Sequence, residues 1–392
     1  MKTKILVIIT LVALTLLAAI FFVKDNPGES ARISPKSFDA DTIEKTKAVI
    51  YLSTTADKDY SNNGISYNVF VQDDHTTKIL EMGGLERGGI ALGESEILLE
   101  DKDSLSVVGE EIKEFETTTP QFTGERAGYL TNQQIFFSIY NSGFRGEDYF
   151  SDVRYGDSSG FKEGTIPHYI VSTGLEKDSV PILTQDLDAD ELNLKELSIN
   201  DEIMIKDIVR LNLSTTENIQ TPAPILADEN NYYIILSVLK DETSKSLSIY
   251  RVNKKTLHQD VFEFIDYNNV ELAAIKPYNT NNSAAIYKSK LYYVDGIGDV
   301  YSFDLNELKV LKEFSLKNIA ASSTRYNEET YFKDENLYVL RYDEKKKEHY
   351  YLETYSLKNG DLVDSFDILG LHELLKSSNI NGLYSYDLKI LK

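Results

Sequence analysis

From Val49 to the end of the chain, short runs of Tyr, Val, Ile, Leu and Phe alternate with clusters of Asn, Asp, Gly, Ser and Lys. Apolar-rich stretches of four to eight positions bounded by turn residues read as strands, and long amphipathic helical stripes are absent. The clearest unit runs from Lys290 to Leu316. It predicts strands at Leu291 to Val294, Val300 to Leu305 and Leu311 to Leu316, the first two joined by a Gly-containing turn, Asp295 to Asp299. The same order returns between Asn336 and Ile368, with strands at Leu337 to Arg341, Tyr350 to Leu357 and Leu362 to Ile368. Upstream, Tyr232 to Leu239, Leu247 to Val252 and Val261 to Ile265 repeat it. Val49 to Thr55, Tyr67 to Gln72 and Lys78 to Met82 do so more loosely.

Tyr292 and Tyr338 are 46 residues apart; Tyr233 and Tyr292 are 59 apart, with an Asn-rich loop, Asn279 to Asn282, inserted between. Units of three or four strands at this spacing predict a β-propeller. Small-residue pairs support the same repeat: Gly88-Gly89, Ala127-Gly128, Ala284-Ala285 and Ala320-Ala321 each stand at the start of a unit, where innermost strands crowd the ring axis. The 347 residues from Thr46 to Lys392 make seven blades of about 50 residues, or alternatively eight of about 43. The terminal GLYSYDLKILK, Gly382 to Lys392, repeats the Val300 strand motif and can complete the blade begun at Val49, closing the ring and removing its exposed edges. Between Val180 and Ser214 the pattern stays open, because Asp190 to Leu197 and Asp201 to Val209 fit helices as well as strands.

Val300-Tyr301-Ser302-Phe303-Asp304-Leu305 followed by Leu311-Lys312-Glu313-Phe314, and Glu353-Thr354-Tyr355-Ser356-Leu357 followed by Leu362-Val363-Asp364-Ser365-Phe366, resemble the blades of bacterial β-propellers of the pyrroloquinoline-quinone and YVTN-like kind. The resemblance covers about two units and concerns architecture. It implies a propeller fold and no particular activity. The chain departs from the quinone enzymes in having no Trp, whereas their blades dock through tryptophans.

One segment breaks the strand pattern. Ile5 to Val23 is a run of 19 uncharged, mostly apolar residues, preceded by Lys2 and Lys4 and followed by Lys24. As a helix it would reach about 29 Å, close to the hydrocarbon thickness of a bilayer and longer than a signal-peptide core. Residues 1–24 are therefore expected to be a transmembrane anchor with the Lys-bearing end cytoplasmic, and the remainder extracytoplasmic. A cleaved signal peptide is the other reading, with Gly28-Glu29-Ser30 before Ala31 as its small-residue site. Residues 25–47 read as a stalk containing a short helix from Asp41 to Ala48, and residues 48–392 as the propeller domain.

Composition narrows the chemistry. Without Cys there is no disulfide, thiol nucleophile, Cys-bound metal or lipoprotein acylation site. Past residue 24 the chain holds 38 Lys and Arg against 63 Asp and Glu, a net charge of −25, which argues against nucleic acid as a partner. The densest basic run, Lys345-Lys346-Lys347, is flanked by Glu344 and Glu348 and reads as a hairpin tip. Most of the 26 Tyr are expected in blade cores and between blades.

Three motifs carry candidate chemistry. Gly156-Asp157-Ser158-Ser159-Gly160 matches G-x-S-x-G, but a nucleophile elbow needs a helix after the Ser, and Phe161 to Pro167 cannot supply one, so a hairpin turn is expected. Asp186, Asp188 and Asp190 form D-x-D-x-D, a weak calcium candidate: Glu191 and Leu197 occupy the positions where an EF-hand loop needs Gly and Glu. Gly83-Gly84 and Gly88-Gly89 lack the following Lys of a P-loop and read as a connection between blades. His75, His168, His258, His349 and His372 form no metal-binding spacing. No cofactor or catalytic residue is expected. The sequence reads as a membrane-anchored, extracytoplasmic binding or sensing module with a protein or glycan partner. The alternative is a polysaccharide lyase or glycosidase whose carboxylates meet in the central channel.

Overall fold

The computed structural model describes residues 31–33, 38, 40–61, 63–187, 189, 191–213, 219–268, 271, 275–317, 327–378, 380 and 382–392. These form seven antiparallel sheets arranged as blades around an axis. Blade 2 comprises Ile90–Leu92, Ile97–Glu100, Ser104–Val108 and Ile112–Glu116 from inside outward. Blade 3 comprises Gly124–Leu130, Ile135–Arg145, Asp148–Asp157 and Gly160–Ile166. Blade 4 follows with Tyr169–Thr173, Val180–Asp186, Glu191–Ile199 and Ile203–Arg210. In blade 5 two short segments, Ile219–Gln220 and Leu226–Ala227, both pair with Asn231–Asp241, and Ser244–Asn253 and Gln259–Tyr267 complete the sheet. Blades 6 and 7 run Ala284–Tyr287 to Val310–Ser315 and Glu329–Lys333 to Leu362–Asp367, so the four repeats found by spacing are four of the blades. The count is seven.

Blade 1 is built from both ends of the propeller. Its innermost strand is the C-terminal Tyr384–Ile390, antiparallel to Thr46–Ser53, with Ile65–Gln72 and Thr77–Gly83 outside. On the outer edge Ala31–Ile33 adds a parallel strand against Thr77–Gly83. Part of the expected stalk therefore lies on the propeller: Phe38 is buried edge-on against Phe70, with ring centroids 5.2 Å apart. The short helix is Ala40–Glu44, after which Thr46 already begins a strand. The apolar run Ile5 to Val23 lies outside the described residues; among those described, no helix is long and apolar enough to cross a membrane.

Packing between blades explains both the strand pattern and the stretch where it stayed open. Seven hydrophobic clusters each straddle one interface, so every blade buries apolar residues on both faces. In Thr46–Ser53, Ala48, Ile50 and Leu52 pack toward blade 7, whereas Val49 and Tyr51 pack toward blade 2. The segments that fitted helices are the strands Glu191–Ile199 and Ile203–Arg210. Leu192 and Leu194 face blade 5, and Leu197 and Ile199 face blade 3. Changing apolar face in mid-strand sets Leu194 and Leu197 three positions apart, a spacing that imitates a helical stripe.

Tyrosines bridge these interfaces. Tyr140 of blade 3 donates to Glu100 of blade 2 at 2.5 Å, Tyr267 of blade 5 to Asp295 of blade 6 at 2.8 Å, and Tyr232 of blade 5 to Glu196 of blade 4 at 3.3 Å. Each ring fills the interface while its hydroxyl satisfies a carboxylate of the next blade.

Candidate functional site: the axial cavity

The inner strands surround a cavity of about 370 Å³ on the ring axis. Backbones can approach the axis this closely only where side chains are small, and Gly88, Gly89, Ala127, Gly128, Ala284 and Ala285 all line it. The crowding comes as much from the second strands as from the axis. A Cβ on Gly88 would stand 2.7 Å from the Tyr51 hydroxyl, and one on Gly128 would stand 2.5 Å from the Phe137 ring. Ala320 and Ala321 lie outside the described residues.

The charged side chains lining the cavity, among the described residues, are Arg87, Arg126, Lys389 and Asp387. They come from innermost strands and the connection before one: Arg126 from Gly124–Leu130, Asp387 and Lys389 from the closing strand Tyr384–Ile390, and Arg87 from the link into blade 2. Asp387 is fully engaged. One oxygen accepts from Asn282 at 2.8 Å, from the Leu388 amide at 2.9 Å and from Lys389 at 2.8 Å; the other accepts from the Ile90 amide at 2.8 Å, tying blade 1 to blade 2. Lys389 also stands 5.2 Å from the centre of the Tyr331 ring. Glu125 sits just behind the lining, 3.7 Å from Arg87, and its buried carboxyl is raised above the ordinary range by desolvation, which Arg87 and Arg126 only partly offset.

An asparagine loop closes part of this space. The insertion between blades 5 and 6 reaches across the ring. Asn279 donates to the Tyr386 carbonyl and Asn282 to Asp387 of blade 1, while Asn281 donates to the Glu125 carbonyl of blade 3 at 2.6 Å. Arg126 in turn donates to the Asn281 side-chain oxygen at 3.3 Å. On the innermost strand of blade 7, Glu329 is buried with one carboxylate oxygen unpartnered, and burial, reinforced by Asp387, holds its proton affinity well above the usual carboxylate range.

The sequence motifs lie elsewhere. Ser158 is at the tip of a two-residue hairpin in blade 3, where Asp157 pairs with Gly160 and accepts the Ser159 amide at 2.7 Å; a strand follows it. Asp186 is the exposed last residue of the mostly buried strand Val180–Asp186 and accepts the Ala189 amide at 2.9 Å, whereas Asp188 and Asp190 lie outside the described residues. Among the described residues no three His, Asp or Glu side chains form a metal-binding group. Gly83-Gly84 and Gly88-Gly89 connect blades 1 and 2. Sequence reasoning missed Arg87, Arg126, Asp387 and Lys389. The available signal was charge inside strands beside small-residue pairs, as in GERAGYL, together with the asparagine insertion.

Comparison with known proteins settles the family. The YycP β-propeller domain family matches residues 41–391. The chain belongs to that family. The YycP relative in Bacillus subtilis (strain 168), described as an uncharacterized protein, is 25% identical over 393 residues, covering 98% of each chain. Among solved structures, a hypothetical selenium-binding protein from Sulfolobus tokodaii superposes with a TM-score of 0.54 at 11% identity, over 94% of this chain and 97% of that one. BamB from Moraxella catarrhalis matches at a TM-score of 0.39 and 12% identity, over 71% and 75%. For this YycP-family chain, the Sulfolobus structure speaks to the fold alone.

Proposed function

We propose that this YycP-family propeller is a membrane-anchored, extracytoplasmic binding or sensing module at the cell envelope, with its ligand site in the axial cavity. The observation that carries the reading is the cavity itself: rigid inner strands present polar side chains from several blades to a space of a size that small-ligand sites commonly have. The apolar run Ile5 to Val23 supports the anchor by its length. The lyase or glycosidase reading has less support. It needs two carboxyls free to exchange protons with a sugar, whereas Asp387, the carboxylate of the lining among the described residues, is held by four donors, and Glu329 is enclosed by protein.

The test is affinity capture from membranes with the full chain, alongside a glycan array. Capture of one envelope protein or glycan, lost when Ala127 at the cavity wall is replaced by Phe, is the expected result. Turnover of a polysaccharide by the purified protein would replace this reading with the enzymatic one.

A further inference from the structure

Arg126 forms no ion pair among the described residues, although the nearby carboxylates of Glu125 and Asp387 favour its charge. Its guanidinium carries five N–H donors, yet among the described residues it makes one hydrogen bond, to the neutral amide of Asn281, and its buried Nε has no partner. The two neighbouring carboxylates are each committed to another cation, Glu125 to Arg87 at 3.7 Å and Asp387 to Lys389 at 2.8 Å. Burial lowers the proton affinity of Arg126, with Glu125 and Asp387 offsetting only part of the effect. A guanidinium so placed costs free energy, because two carboxylates already paired with other cations and one weak hydrogen bond recover only part of its desolvation.

The same side chain lines the cavity, flanked by Arg87 and Lys389. Among the described residues of a chain with net charge −22, the lining holds three cations to one anion; Lys389 pairs with that anion and Arg87 with Glu125 behind the wall, which leaves Arg126 as the lining cation without an ion pair. Asn281 and Asn282 supply neutral amides at the same wall, and Tyr331 and Tyr386 supply aromatic surface. We infer that the axial cavity binds a small ligand through an oxyanion, a carboxylate or a phosphate, seated on Arg126 with Arg87 and Lys389 beside it. A planar fork of N–H donors suits either group, and charge-assisted hydrogen bonds of this kind are the strong ones. This deepens the binding reading above and rests on it.

Binding is measured on the purified full chain by calorimetry and thermal melting with citrate, glucuronate and inorganic phosphate, against glucose and choline as neutral and cationic controls. At least one oxyanion should raise the melting temperature and choline should not; citrate or glucuronate acting alone identifies a carboxylate, phosphate acting alone a phosphate. Arg126→Gln should weaken that binding about tenfold or more, and Arg126→Lys less. Without ligand, Arg126→Gln should melt no lower than the parent, since it removes an unpaired charge. The inference is overturned if no oxyanion binds, if Arg126→Gln binds equally well, or if that variant is strongly destabilised and Arg126→Lys restores stability without restoring binding. Binding of glucose alone, retained in Arg126→Gln, would sink the oxyanion while leaving the cavity as the ligand site; envelope capture without any small-molecule binding would leave the module reading and remove the cavity.

Discussion

Asp295 illustrates how much one side chain can be changed by its neighbours. It closes a turn by accepting the Ile297 and Asp299 amides at 3.1 and 2.9 Å, receives the Tyr267 hydroxyl, and is fully buried between blades 5 and 6. Burial pushes its carboxyl up to about 7. The folded protein therefore holds this proton more tightly than the unfolded chain does. The resulting stability is complete at pH below about 4 and is lost as pH rises toward about 7. Asp295→Asn should flatten that part of the pH dependence, with little loss of stability at pH 8; urea melts at pH 5 and pH 8 check it. Arg154 is the opposite case. Its buried guanidinium donates to the Asp101, Lys102 and Thr119 carbonyls and to the Thr117 hydroxyl, joining blades 2 and 3. Arg154→Ala strands these acceptors and should cost roughly 3 kcal/mol or more, read from denaturant unfolding. Neither role was legible in the sequence, where Asp295 was a turn residue and Arg154 one charge in a strand. Burial and partners are properties of distant segments.

At the scale of elements, local chemistry was a good guide. Asp-led turns recur because a side-chain oxygen can accept amides two or three residues on, as Asp101, Asp228 and Asp304 do. The three outer strands of blades 6 and 7 were readable to within a residue or two for the same reason, since turn residues punctuate them, whereas the innermost strands Ala284–Tyr287 and Glu329–Lys333 were not read as strands. The hairpin around Ser158 follows this logic too. Ser158→Ala should alter stability by no more than about 0.5 kcal/mol, and a fluorophosphonate probe should not label the serine. Gly128 is less forgiving. Because any Cβ there meets the Phe137 ring, Gly128→Val should destabilise by about 1–3 kcal/mol, with the loss visible as a lower melting temperature.

For the whole molecule, closure decides stability. The last strand, Tyr384–Ile390, covers the edge of Thr46–Ser53 and buries Leu388 and Ile390 in the interface between blades 1 and 7. Removing residues 383–392 should abolish cooperative melting and produce aggregates on size-exclusion chromatography, because an exposed strand edge templates association. Net charge acts at the same scale. Self-repulsion among surplus carboxylates is screened by salt, so raising ionic strength from about 0.01 to about 0.15 M should raise the melting temperature. Attachment to the membrane is tested by the N-terminus: sequencing should not begin at Ala31.

Taken alone, the sequence determined the all-β class, the blade-sized repeat and the closing role of the last strand, because strand periodicity and turn chemistry are written in neighbouring residues. It left the two outer strands of blade 4 ambiguous, because one changes its apolar face in mid-strand and the other, outermost, is largely exposed and carries little burial pattern. Only the tertiary structure decided that the blades number seven, that tyrosines clasp carboxylates across interfaces, and that Arg126, Asp387, Lys389 and the asparagine loop meet at the axis. Asp387 and Arg126 are 261 positions apart in the chain. Ring closure makes them neighbours, and sequence spacing carries no trace of a contact that depends on every intervening blade.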